Sequence, residues 1–169
     1  MSDALEVRII GRARTPWRRR EDAPHQPSAT PEGEGVLEIE VEYRPALADL
    51  ASFERIWLVF AFHRSHGWAP TVKPPRGGSK RGLFATRAPN RPSQIGLTNV
   101  AVKEVDVAEG RVRVQGIDLL DETPLLDIKP YIATIDAWPE SSHGWLAPYL
   151  EAGIEPRLKK PYRPPREGG

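Results

Sequence analysis

Residues 37–43, Leu-Glu-Ile-Glu-Val-Glu-Tyr, alternate apolar and acidic side chains without a fault. Side chains alternate faces every second residue along a strand, so this pattern lays one face on a core and the other in water. A helix would scatter the same residues around its circumference. Eighteen prolines in 169 residues point the same way, because a proline inside a helix costs about 3 kcal/mol. Four more segments read as strands: 5–10, 55–63 (RIWLVFAFH, apolar enough to be buried on both faces), 111–117 and 125–132, the last broken by Pro130. Residues 99–107 form another, with Glu109-Gly110 turning into 111–117. Only residues 45–53 resemble a helix, with Leu47, Leu50 and Phe53 at helical spacing behind a proline. The expected fold is mainly β: a small antiparallel β-barrel with one or two short helices and long irregular loops. It should occupy residues 1–147, with 148–169 a proline-rich, basic C-terminal tail.

Composition removes several classes of function. With no cysteine there is no disulfide, thiolate nucleophile or cysteine-based zinc site. The first ten residues lack the basic start and apolar core of a signal peptide, and the longest apolar run, 56–62, is too short to cross a bilayer. The expectation is a soluble, cytoplasmic protein without a membrane partner. No G-x-G-x-x-G follows a strand and no Walker-type loop occurs, RGGSKRG being only superficially similar, so a doubly wound nucleotide-binding fold is not expected.

Charge is segregated along the chain. The total is nearly neutral, with 24 basic and 23 acidic residues, yet no acid lies between Glu54 and Glu104. Arg55, Arg64, Lys73, Arg76, Lys80, Arg81, Arg87, Arg91 and Lys103 all fall there. The region is either a polyanion-binding surface, acting through counterion release and free loop amides, or a solvated basic face. His63 and His66 have an H-x-x-H spacing, but at the end of a strand and before Gly67 the two rings are not brought together, and no metal is expected. His63 reads as a hydrogen-bonding group at a pocket rim or as a core histidine. Residues 116–131, GIDLLDETPLLDIKPY, cluster Asp118, Asp121, Glu122 and Asp127, which make either a simple turn or the counter-charge for a cationic ligand.

The motifs TPW (15–17), RIWLVFAFH (55–63), GWAPTVKPPRGG (67–78), GLFATRAPNRPSQIGLT (82–98) and DLLDETPLLDIKPY (118–131) occur in this order. Together they closely resemble the TsaA or TrmO family. Its members are S-adenosylmethionine-dependent methyltransferases acting on threonylcarbamoyladenosine beside the anticodon of tRNA. The resemblance implies a small β-barrel enzyme that works as a homodimer. It places cofactor contacts on His25, Gln26 and Pro27, on His63 and Arg64, on Arg87, on Leu97, and on the turn of Asp118, Leu119, Leu120, Asp121 and Glu122. A cofactor with a sulfonium, an ammonium and a carboxylate calls for an arginine fork and for acidic or carbonyl oxygens, which Arg87 and the 118–122 turn can supply. The acceptor nitrogen is a weak nucleophile until deprotonated, so a base is expected, and Asp127, Lys129 and Tyr131 are the candidates by motif position. Arg76, Lys80, Arg81 and Arg91 would hold the phosphates flanking the target base in the anticodon loop.

Three positions differ from the family pattern. R-P-N-P-I-G is here Arg91-Pro92-Ser93-Gln94-Ile95-Gly96, whose missing proline predicts a more mobile loop. The glycine of D-G-T-P is Glu122, which adds a charge where positive φ is costly. His25 replaces an arginine, which makes an ionic contact there pH-dependent. Two other functions fit the same motifs: a non-catalytic RNA-binding module of this fold, and a methyltransferase with a different modified nucleoside or small molecule as acceptor.

Overall fold

The computed structural model describes residues 5–24, 31–74 and 78–152. Its strands are β1 (Gly11–Arg14), β2 (Glu34–Ile39), β3 (Arg55–Ala61), β4 (Thr71–Val72), β5 (Arg81–Gly82), β6 (Ile95–Asp106), β7 (Arg111–Gln115) and β8 (Thr123–Pro130), followed by short helices α1 (Ala133–Asp136) and α2 (Ala147–Glu151). Six strands close an antiparallel barrel in the order β1-β2-β7-β6-β3-β8, while β4 and β5 pair as a separate ribbon. The expected architecture is therefore the observed one. No helix among the described residues is long and apolar enough to cross a membrane.

Alternation fills the barrel. Ala13, Leu37, Ile39, Ile56, Leu58, Phe60, Val100, Val112, Val114 and Leu125 point inward and are buried. Trp17, Ile117 and Leu119, which follow β1 and β7, plug one end, and Leu47 and Leu50, between β2 and β3, plug the other. Two glycines allow close approach. A Cβ on Gly11 would lie 2.2 Å from the Glu38 carbonyl oxygen, and one on Gly96 would lie 2.2 Å from Cζ of Phe60.

Several boundaries differ from expectation, each for a tertiary reason. The strand read over 37–43 stops at Ile39, because its neighbours end there: Gly11 is the partner of Ile39 and Arg111 that of Glu38. Beyond them no ladder exists, and Val41–Leu47 winds into a 3-10 helix with Val41 exposed. The helix read over 45–53 is two 3-10 segments, interrupted by Asp49 in the left-handed region at φ 64°. At the N-terminus the ladder starts at Gly11 rather than within 5–10, with only Ile10 joined to Leu125 and Glu40 by backbone hydrogen bonds. β3 is buried on one face and half-buried on the other, not buried on both. The 147/148 division falls inside α2.

Candidate functional site

One barrel end gathers the C-terminal ends of β1, β3 and β7 and the N-terminal ends of β2, β6 and β8. The segments 15–18, 61–66, 94–98 and 115–122 therefore converge. Among them Asp118 has the most unusual setting. Thr98 Oγ1, on the inward face of β6, donates a 2.8 Å hydrogen bond to its Oδ1. Burial raises the Asp118 pKa to about 6, although the Thr98 bond and the positive charge of Arg87 pull it down. Arg87, itself exposed, thus acts on Asp118 through its charge. A half-buried acid answered by an accessible arginine suits a zwitterionic ligand with a cationic centre and a carboxylate.

His63 closes β3 and is half-buried. Its backbone N–H donates to the Ala61 carbonyl at 2.8 Å, and its Nε2 is enclosed without a hydrogen-bond partner. Burial, then the charge of Arg64 and, more weakly, that of Arg12, hold the imidazole below the usual histidine pKa and favour its neutral form. Arg64 reaches away to donate to the Arg18 carbonyl at 2.5 Å.

The rest of the acidic turn is engaged within the protein. Thr15 N–H donates to Asp121 Oδ1 at 3.1 Å, Thr15 Oγ1 donates to the Leu119 carbonyl at 2.9 Å, and Asp121 N–H donates to the Trp17 carbonyl at 2.8 Å. The Leu120 carbonyl accepts Thr123 Oγ1 at 2.7 Å, and the Leu119 side chain is in the core. TPW and DLLDETP are thus two halves of one interlock. Glu122 turns its carboxylate to Arg14, which also pairs with Glu38, and its carbonyl accepts Arg12. Its φ is 66°, so the glutamate adopts the turn that a glycine would, at a local cost of about 1–2 kcal/mol. Of the carboxylates in this turn, Asp118 is the one whose pKa the charge of Arg87 shifts.

The loop before β6 is pinned, contrary to the expected mobility. Gln94 has φ 49°, which proline cannot reach. Its N–H donates to the Arg91 carbonyl at 3.2 Å, its carbonyl accepts Phe62 N–H at 2.8 Å, and its side-chain amide donates to the Ser65 carbonyl at 2.9 Å. Arg91 donates to the Thr86 and Ala88 carbonyls at 2.9 and 3.3 Å and stacks 5.6 Å from the Phe84 ring centroid. It is therefore a brace of the loop before it is a free cation. Arg81 lies over Trp145, whereas Lys80 is exposed. His25, Gln26, Pro27 and Arg76 lie outside the described residues.

Asp127, Lys129 and Tyr131 occupy the outer wall. Asp127 pairs in register with Val59, which pairs with Leu97, so these three form one outward row across β8, β3 and β6. Leu97 is 58% exposed. Lys129 Nζ contacts Asp127 Oδ2 at 2.7 Å, while Tyr131 packs edge-on against Trp57 with ring centroids 5.7 Å apart. The trio runs down the wall away from Asp118 rather than gathering beside it. A cleft of about 160 Å³ beneath Phe84 is lined by Arg91, Pro92, Ser93 and Ile95. A larger recess of about 340 Å³ lies on the opposite wall, and its two arginines, Arg14 and Arg113, are already paired with Glu38 and Glu104. Reasoning from sequence missed Thr98, Arg12 and Thr15. Thr98 had a readable signal, as a polar residue in the inward phase between Gly96 and Val100.

Comparison with known proteins bears on the family and the fold. The model of the tRNA-methyltransferase O N-terminal domain matches residues 12–137. The tRNA (adenine(37)-N6)-methyltransferase of Escherichia coli K12 is 36% identical over 161 residues, covering 89% of this chain and 68% of that protein. A probable S-adenosyl-L-methionine-binding protein of Pyrococcus abyssi is 39% identical over 139 residues, covering 82% and 74%. The crystal structure of TrmO from Pseudomonas aeruginosa superposes with a TM-score of 0.70 at 34% identity over 85% of this chain. The alignment spans 63% of that solved chain, less than two thirds of its length.

Proposed function

We propose, since the chain belongs to the tRNA-methyltransferase O N-terminal domain family, that it is an S-adenosylmethionine-dependent tRNA methyltransferase acting on the exocyclic nitrogen of threonylcarbamoyladenosine beside the anticodon. The observation that carries the reading is Asp118, half-buried and bonded to Thr98, with a pKa raised to about 6 and set in the field of Arg87. Arg87 would hold the cofactor carboxylate, Asp118 its cationic side and Leu97 its adenosine. His63 lines the same rim, while the side chain of Arg64 is held by the Arg18 carbonyl. The cofactor brings an electrophilic methyl group. The chain aligns the acceptor nitrogen with it and takes that nitrogen's proton as the bond forms. Asp127 is the group assigned to receive the proton, with Lys129 in contact with its carboxylate and Tyr131 bounding the row.

Leu97 and Asp127 share a wall that is open in a single chain, and Ile135 and Trp138 beside it are also exposed. A second copy covering this wall would enclose the cofactor, which is the basis for reading a homodimer. Lys80 and Arg81, with Arg76, hold backbone phosphates, and Phe84, 78% exposed, offers a face to an unstacked base of the anticodon loop. Such a substrate supports a cytoplasmic location.

The internal commitments of Asp121 and Glu122 also suit a non-catalytic RNA-binding module. Incubation with tRNA and methyl-labelled cofactor separates the readings. Label in the tRNA fraction supports the methyltransferase; salt-sensitive tRNA binding without label supports the module; label on another acceptor assigns a different substrate.

A further inference from the structure

The chain beyond the barrel folds back on the basic loop. Gly144–Leu146 makes one turn of 3-10 helix and leads into α2. Trp145 Nε1 donates a 2.8 Å hydrogen bond to the Ala85 carbonyl, and the Arg81 guanidinium lies 5.1 Å from the Trp145 ring centroid. Tyr149 packs edge-on against Trp145, with centroids 6.3 Å apart and an interplanar angle of 83°. Its hydroxyl lies 2.6 Å from where a Cβ on Gly78 would stand, and the φ of 80° there favours glycine.

These contacts grip the loop at Gly78, Arg81 and Ala85. On its inner side the same stretch is anchored by buried Leu83, and its own short turn closes locally through Thr86 N–H to the Leu83 carbonyl. Ala85 lies two residues before Arg87, the arginine whose charge acts on Asp118, and Arg81 follows Lys80. Both gripping residues lie beyond residue 137, where the match to the family domain ends.

We infer that Trp145, supported by Tyr149, is a positioning residue for the substrate loop. From outside the family domain it sets where Arg81 and Lys80 meet a phosphate backbone and how Arg87 stands opposite Asp118. The effect on turnover rests on the methyltransferase reading; the grip on the loop does not.

Hydrogen exchange of the full chain tests the grip directly. In Trp145→Ala, amides of residues 78–87 should exchange about tenfold faster, the loss expected for one hydrogen bond and one exposed cation–π contact. β3 and β6 should be unchanged. Trp145→Phe keeps a ring under Arg81 but removes the donor, and should fall between the two. With tRNA as substrate, Trp145→Ala should raise KM several-fold and leave kcat within about twofold. Unchanged exchange in 78–87, equal acceleration throughout the barrel, or a fall in kcat with KM unaltered would overturn the proposal. If the wild-type chain transfers no methyl group, the methyltransferase reading fails, and the exchange comparison still decides the role of Trp145.

Discussion

Acidification should weaken S-adenosylmethionine binding through Asp118 specifically. With a pKa of about 6 in the free protein, Asp118 is almost fully ionised at pH 8 and about one-eleventh ionised at pH 5. If the bound state requires the carboxylate, the apparent Kd rises by the inverse of that fraction, roughly elevenfold or about 1.4 kcal/mol. Calorimetric titration between pH 5 and pH 8 should show this rise, with a proton released on binding below pH 6. Other groups of the site, the imidazole of His63 with its lowered pKa among them, respond to pH as well, so the variant Asp118→Asn is the control. It should bind weakly and with little slope over this range. The same substitution has a stability signature of definite sign. A carboxyl whose folded pKa lies above its unfolded value of 3.8 penalises the fold once ionised, so the penalty is full above pH 6 and vanishes below about 4. Asp118→Asn, whose side-chain oxygen can still accept from Thr98, should therefore raise stability at pH 7–8 by up to about 3 kcal/mol, and thermal melts should show the gain fading as the pH falls. A flat wild-type Kd from pH 5 to pH 7, or an equal slope in Asp118→Asn, would refute the assignment.

Gly96→Ala drives a methyl into the Phe60 ring and should destabilise the barrel by about 3 kcal/mol in denaturant melts. Glu122→Gly relieves positive-φ strain while removing a half-exposed pair with Arg14, so melts should shift by less than about 1 kcal/mol and cofactor affinity should hold. Lys80→Ala should lower the slope of log K against log salt for tRNA by about 0.7–0.9, measured by filter binding across a salt series.

The barrel was legible because inward and outward residues alternate on almost every strand, and the prolines left few other architectures. Strand ends were not, since Ile39 ends β2 for want of neighbours 28 and 72 positions away in sequence, at Gly11 and Arg111. The site divided in the same manner. Asp118, Asp121 and Glu122 look equivalent in sequence, but Thr15 engages Asp121, Arg14 engages Glu122, and burial singles out Asp118. The basic region was visible as a gap in the acids, yet no local pattern shows that Arg91 braces its own loop or that Arg81 lies over Trp145. Gln94 was read as loosening its loop, whereas its three hydrogen bonds fasten it.

Mass spectrometry of nucleosides digested from tRNA after incubation with the protein and methyl-labelled S-adenosylmethionine tests the central claim most directly. Labelled N6-methyl-threonylcarbamoyladenosine should appear with the wild-type chain and fall by at least tenfold with Arg87→Ala. Intact, unlabelled threonylcarbamoyladenosine after saturating enzyme and cofactor would contradict it.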